Sequence, residues 1–212
     1  MKPPAGHGLL EGKVVVVTAA AGTGIGSAAA RRCLEEGAEV VISDQHARRL
    51  DETWEDLTSS HGDRVWSIVC DVTDEDAVEA LMSGAARRYG RIDVLINNAG
   101  LGGTSSVLDM TDEQWLRVLD VTLNGTFRCT RAALRLMVAQ GHGGAVVNNA
   151  SVLGWRAQPG QAHYAAATAG VMAFTRCAAL DVAATALTRM PWAATSSAAH
   201  RVKAITPALA AA

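Results

Sequence analysis

The passage from Val14-Val15-Val16-Val17 into Thr18-Ala19-Ala20-Ala21-Gly22-Thr23-Gly24-Ile25-Gly26 constrains this chain more than any other feature. Four β-branched residues in a row, without polar alternation, make a strand buried on both faces, as parallel sheets require. The glycine-rich stretch that follows must turn tightly, and residues 27–36 then read as a helix closed by Gly37. Such a turn brings backbone N–H groups and the positive helix end together, the arrangement that receives a phosphate. The turn lacks the strict GxGxxG spacing, because position 27 is Ser.

The alternation continues. Residues 39–43, 64–69, 92–96 and 145–148 read as strands, and 46–60, 73–89, 111–140 and 161–184 as helices. Thr73 and Thr111 are the expected caps of their helices, each followed by acidic residues in the first turn. Strands alternating with helices predict an α/β fold: a single doubly wound parallel sheet with helices on both faces. At 212 residues, 49% hydrophobic and 19% charged, the chain suits one domain with a full core, spanning 1–212. The last thirty residues, 183–212, differ in character. Twelve are Ala, and only residues 201–205 read as a strand.

The net charge of −2 offers no basic footprint for nucleic acid. Cys33, Cys70, Cys129 and Cys177 form no CxxC and no zinc spacing, so they read as reduced core thiols of a cytoplasmic protein. No secretory h-region stands in the first dozen residues. Residues 14–30 and 157–175 lack charge, but Gly, Thr, Ser, Gln and His dilute them, so they read as core and not as membrane spans.

Several strand ends carry candidate chemistry. Asp44 closes the second strand, 22 residues after Gly22, where an acid accepts hydrogen bonds from the adenosine ribose and repels a 2′-phosphate. No Arg follows at once, which favours NAD over NADP. Asp71-Val72 ends the third strand, suited to the adenine edge, and Asn97-Asn98-Ala99-Gly100 ends the fourth, where small and amide residues line a ligand crevice. Ser151 ends the fifth, and Tyr164 follows thirteen residues later, early in a helix. A Ser hydroxyl and a Tyr phenol can hydrogen-bond one substrate oxygen while the phenol passes a proton.

Taken in order, T-A-A-A-G-T-G-I-G, the Asp44 strand end, C-D-V-T, N-N-A-G, N-A-S before W-R-A-Q, and H-Y-A-A-A resemble the short-chain dehydrogenase/reductase family over residues 10–180. The resemblance implies a Rossmann-type oxidoreductase acting on an alcohol or ketone. It implies that Ser151 orients the substrate oxygen and Tyr164 serves as proton donor or base. Thr18, Ala19, Gly22, Thr23, Gly24, Ile25, Gly26, Asp44, Asp71, Val72, Asn98, Ala99, Gly100 and Tyr164 would hold the dinucleotide.

The chain also departs from the family pattern. Tyr-x-x-x-Lys reads Tyr164-Ala165-Ala166-Ala167-Thr168, so Thr168 stands where a cation is expected to hold the nicotinamide ribose and favour the phenolate. A free phenol has a pKa near 10, and lowering it by about three units corresponds to roughly 4 kcal/mol. The resemblance therefore implies reduced activity, or a weak or inactive nucleotide-binding relative. Arg156 is the cation nearest in sequence to Ser151. The glycine turn is one residue longer than the family form, leaving Ala19 or Gly22 for the first glycine's place. The relay asparagine's place falls on Thr122, and Asn124 lies too far around the helix to replace it. The family's substrate-covering helices and seventh strand are expected beyond the sixth strand, for which these residues hold no sequence. Trp155, Leu101, Val152 and Leu153 suggest an apolar substrate pocket. The two long helices are expected to pair across a two-fold axis, with Ala132, Ala133, Ala165, Ala166 and Ala169 allowing close approach, in a homodimer or homotetramer.

Overall fold

In a computed structural model, residues 5–189 and 203–205 are described. The elements are β1 (Val14–Val17), α1 (Ile25–Glu35), β2 (Glu39–Asp44), α2 (Ala47–His61), β3 (Val65–Val69), α3 (Glu75–Tyr89), β4 (Val94–Asn97), α4 (Asp112–Leu119), α5 (Gly125–Gln140), β5 (Ala145–Asn148), α6 (Ala162–Arg189) and β6 (Lys203–Ile205). The strands form one parallel sheet in the order β3-β2-β1-β4-β5-β6. The chain winds outward from β1 to β3, then returns to the other side of β1 for β4. That reversal opens a crevice at the carboxyl ends of β1 and β4, where doubly wound sheets bind ligands.

The valine run is buried on both faces, as read from the sequence. Val15 and Val17 face the layer of α1 and α2, with Ala30, Leu34, Leu50 and Leu57; Val16 faces α3 and α5, with Leu81, Met82, Cys129 and Met137. The same two-residue alternation divides Val40 and Ile42 from Val41 on β2. A buried amide network joins the second layer to the sheet. Asn97 donates to Thr130 Oγ1 at 2.9 Å and to Asn148 Oδ1 at 2.8 Å, and Asn148 donates to Thr175 Oγ1 at 2.8 Å.

Four details differ from the sequence reading. The cap of α3 is Asp74, whose carboxylate accepts from the amides of Asp76 and Ala77, while Thr73 bonds to Asp71. Thr111 does cap its helix, in a reciprocal capping box with Gln114. That helix is not continuous, because residues Asp120–Asn124 widen into one π turn between α4 and α5. Cys177 is exposed and Cys33 half-buried, so only Cys70 and Cys129 are core thiols. Finally, Ala132 and Ala133 pack into the chain's own core and cannot face a partner.

Within α6, Ala162–Ala183 is long and apolar enough by length and composition to cross a membrane, and a third of that stretch is buried inside the fold. Most of the alanine-rich segment 183–212 lies outside the described residues.

Candidate active site

The first turn is held by its own amides. Ala20 N–H donates to Ser43 O at 2.9 Å, Ala21 N–H to Asp44 Oδ2 at 3.3 Å, and Gly22 N–H to Thr53 Oγ1 at 2.8 Å. These bonds fasten the extra residue of the turn to β2 and α2. Ala19 takes a φ of 50° and Gly22 a φ of 81°, so both candidates for the first glycine's place hold the left-handed backbone that glycine adopts most readily. A methyl group on Gly26 would lie 2.4 Å from Ala19 O and 2.6 Å from Asn98 Nδ2, so only glycine lets α1 approach this closely. Gly24 caps α1 without a side-chain bond, so the first-turn amides of Ile25, Gly26 and Ser27 receive no acceptor from the cap residue's side chain.

Thr18 anchors the neighbouring strand end. Its Oγ1 accepts from the amides of Asn98 and Ala99 at 3.0 and 3.1 Å, and Asn98 Nδ2 donates to Ala19 O at 2.9 Å. Asn149 Nδ2 in turn donates to Asn98 Oδ1 at 3.0 Å, so the ends of β1, β4 and β5 form one rigid rim.

Two cavities open along that rim. The first, about 190 Å³, is lined by Ala19, Asp44, Asp71, Val72, Ala99 and Gly100 among others. Asp44 accepts from the His46 amide at 3.0 Å as well as from Ala21, which leaves acceptor capacity on both carboxylate oxygens. Asp71 Oδ1 is occupied by the Thr73 amide and hydroxyl, which fixes its orientation. Sequence reasoning missed Arg49 here. It lies three residues into the helix after His46, and one helical turn returns it to the wall beside Asp44.

The second cavity, about 630 Å³, brings together Ile25, Asn98, Gly100, Thr122, Ser151 and Tyr164. Ser151 Oγ accepts from the Leu153 amide at 3.2 Å, so its own O–H proton is free to be donated into the cavity. The Tyr164 phenol finds no protein partner among the described residues. Thr122 stands at the π turn, its Oγ1 accepting from Leu101 N–H at 3.0 Å and returning a 3.3 Å contact to Leu101 O. Asn124 is exposed and bonds to Asp120, away from the cavity.

Thr168 does not line the cavity. It is 1% exposed, and its hydroxyl donates back to the carbonyls of Tyr164 and Ala165 at 2.8 and 3.3 Å. Gly154 packs directly over it, against Thr168, Ala169 and Met172. Of the four apolar residues expected to form the pocket, Val152 lines it, while Trp155 is 71% exposed. Arg156 is exposed and absent from the wall. Gly102, Gly103, Thr104 and Gln161 also line it, which no sequence motif announced.

Comparison with known proteins agrees with this geometry. Residues 13–196 match the short chain dehydrogenase family. A Mycobacterium tuberculosis (5R,7aS)-5-hydroxy-7a-methyl-1-oxo-2,3,5,6,7,7a-hexahydro-1H-indene-carboxyl-CoA reductase is 64% identical over 182 residues, 86% of this chain and 70% of that one. A short chain dehydrogenase crystal structure from Mycobacterium smegmatis superposes with a TM-score of 0.83 at 62% identity, covering 86% of this chain and 75% of that one. A crystal structure of NAD+-bound xylitol dehydrogenase superposes with a TM-score of 0.78 at 36% identity, covering 83% and 67%. The nucleotide-type first turn, the Ser-Tyr cavity at the strand ends and these matches together make this chain a member of the short-chain dehydrogenase/reductase family of oxidoreductases.

Proposed function

We propose that the chain is an NAD-dependent oxidoreductase acting on a bulky, apolar alcohol or ketone, with turnover limited at position 168. The observation that carries this reading is the shared cavity of Ser151 and Tyr164, set against the first-turn amides of α1. The residues present fit a dinucleotide. The α1 amides would hold its pyrophosphate, Asp44 the adenosine ribose, and Asp71 and Val72 the adenine edge. When bound, nicotinamide supplies or takes the hydride.

The chain's own residues do the rest. Ser151 donates a hydrogen bond to the substrate oxygen and so orients it. Tyr164 gives that oxygen a proton in reduction and removes one in oxidation. Ring ketones carried on acyl thioesters are the substrate class to try first, given the named activity of the mycobacterial relative.

We expect a homodimer through α5 and α6. Phe127 and Phe174 meet edge to face at 5.8 Å beside Leu134 and Val138, in an open groove on that surface. Four free thiols suit a reducing cytoplasm. A second reading, an inactive nucleotide-binding relative, is favoured by the Thr168 hydroxyl being turned into its own helix.

The test is a titration of NADH and NADPH followed by turnover of a ring-ketone panel with the parent and Tyr164→Phe. NADH binding with slow turnover that Tyr164→Phe abolishes supports the first reading. Binding without any turnover supports the second.

A further inference from the structure

We propose that His163 is a positioning residue that clamps the Leu101–Ser105 loop onto the helix bearing Tyr164, and so sets the far wall of the substrate cavity. The inference rests on the Ser151–Tyr164 cavity being the reaction site, and it names what gives that site its width.

His163 is 2% exposed, yet it belongs to the first turn of α6, next to Tyr164. Its Nδ1 accepts from the backbone amide of Tyr164 at 2.9 Å. That acceptor role puts the proton of the neutral ring on Nε2. Nε2 faces Gly103, where an added methyl group would lie only 3.3 Å away. The imidazole thus fills the side-chain space that glycine leaves open, and its position is tied to the tyrosine's own backbone.

The contacts continue in register along both segments. Gln161 Nε2 donates to Thr104 Oγ1 at 3.2 Å, and Ser105 N–H donates to Gly160 O at 3.0 Å. Gly160 has a φ of 74°, and a methyl group there would meet Thr104 Cγ2 at 2.8 Å. The opposite end of the loop is pinned by Thr122 at Leu101. Gly102, Gly103, Thr104, Gln161 and Tyr164 all line the cavity. A loop with two adjacent glycines is otherwise free to vary its distance from the helix. The clamp removes that freedom, so a substrate held against the loop meets the phenol at a fixed separation.

The experiment is a double-mutant cycle on the full chain, using Gly103→Ala, His163→Ala and both together. The readouts are kcat/KM for a bicyclic ring ketone and for cyclohexanone, the NADH dissociation constant, and Tm. Gly103→Ala alone should lower kcat/KM for the bicyclic ketone about tenfold. In the His163→Ala background the same change should cost less than twofold. His163→Ala should narrow the preference for the bicyclic over the small ketone at least fivefold, with NADH affinity within twofold of the parent. Additive losses, or equal losses on both ketones, overturn the proposal.

A second readout needs no turnover. The 15N spectrum of the His163 ring at pH 8 should show the proton on Nε2, and a proton on Nδ1 overturns the clamp. If the parent turns over no ketone while that tautomer is found, the activity reading fails and the clamp stands.

Discussion

The Thr168 hydroxyl donates to the Tyr164 carbonyl 2.8 Å away, one turn back along α6. This bond satisfies the side chain inside its own helix and leaves it nothing to offer the cavity. A serine or threonine in this state bends a helix slightly and brings no charge. Thr168 thus follows Tyr164 by one helical turn, with its side chain buried outside the cavity and without charge.

Asp44 is the residue expected to set cofactor choice. Its carboxylate is buried at the end of β2 and held by two loop amides. NADH should bind at least tenfold more tightly than NADPH, a gap of about 1.4 kcal/mol. Asp44→Ala should narrow that gap, because Arg49 remains in the wall to meet a 2′-phosphate. Equal affinity in the parent, by fluorescence titration, would count against the assignment.

Ala19 holds a backbone that favours glycine. Ala19→Gly should raise the unfolding free energy by about 1 kcal/mol, the strain relieved less the added freedom of the unfolded chain. Gly26→Ala should do the opposite and weaken NADH binding at least tenfold, because its methyl group collides with Ala19 O and Asn98. A destabilised Ala19→Gly in urea denaturation would show that the turn is not strained there.

The thiols should sort by environment. Burial pushes Cys33 up to about 11 and Cys70 up to about 12, and raises Cys129 further. Only thiolates react, so these three should be slow. Cys177 is exposed on α6. With a disulfide reagent at pH 8, one thiol per chain should react quickly, and Cys177→Ser should remove that phase. A fast phase that survives the substitution would contradict the structure.

Acid should weaken the fold in two stages. Burial first, then Arg64 and Arg31, holds His61 below its ordinary 6.5, so folding favours the neutral ring. Hydrogen bonds from the His7 and Leu9 amides hold Glu36 below its ordinary 4.5. Both native groups bind fewer protons than their unfolded forms, so stability rises with pH. The His61 share is complete above about pH 6.5 and is lost below it, and the Glu36 share is complete above about 4.5 and lost below it. Urea midpoints should fall from pH 7.5 to 5.5 and again below 4.5, and His61→Gln should flatten the first fall. A midpoint independent of pH over that range would refute this.

Much of this was legible because strands and turns are local. The valine run, the Asp44 strand end and the Ser151-to-Tyr164 spacing all follow from sequence order, and the sheet places them together. What escaped depends on geometry across the fold. The sequence could not show that an alanine, Ala19, takes a left-handed φ of 50° in this turn. The π turn at Asp120–Asn124 carries no sequence signature, though it presents Thr122 to Leu101. Arg49 reaches its cavity wall through helical register and belongs to no motif, while His163, though the first residue of H-Y-A-A-A, packs behind Gly103 by a contact the motif does not announce.

The assembly prediction rests on the α5–α6 groove. Phe127 is 40% exposed at its edge, beside Arg131 stacked on its ring at 4.7 Å. Phe127→Asp with Phe174→Asp should convert a dimer to a monomer by light scattering at micromolar concentration. A parent that is already monomeric would contradict the expectation.

The central claim is that Ser151 and Tyr164 form a working proton-transfer site whose turnover is limited by the uncharged residue at 168. Steady-state reduction of a ring ketone by Thr168→Lys tests it most directly, with NADH affinity and Tm measured alongside. General acid–base groups contribute about 10² to 10⁴ in rate, so turnover should rise at least about a hundredfold. Tyr164→Phe in the same background should erase the gain. A Thr168→Lys protein that folds and binds NADH as the parent does, yet gains nothing on any ring ketone, would contradict the claim.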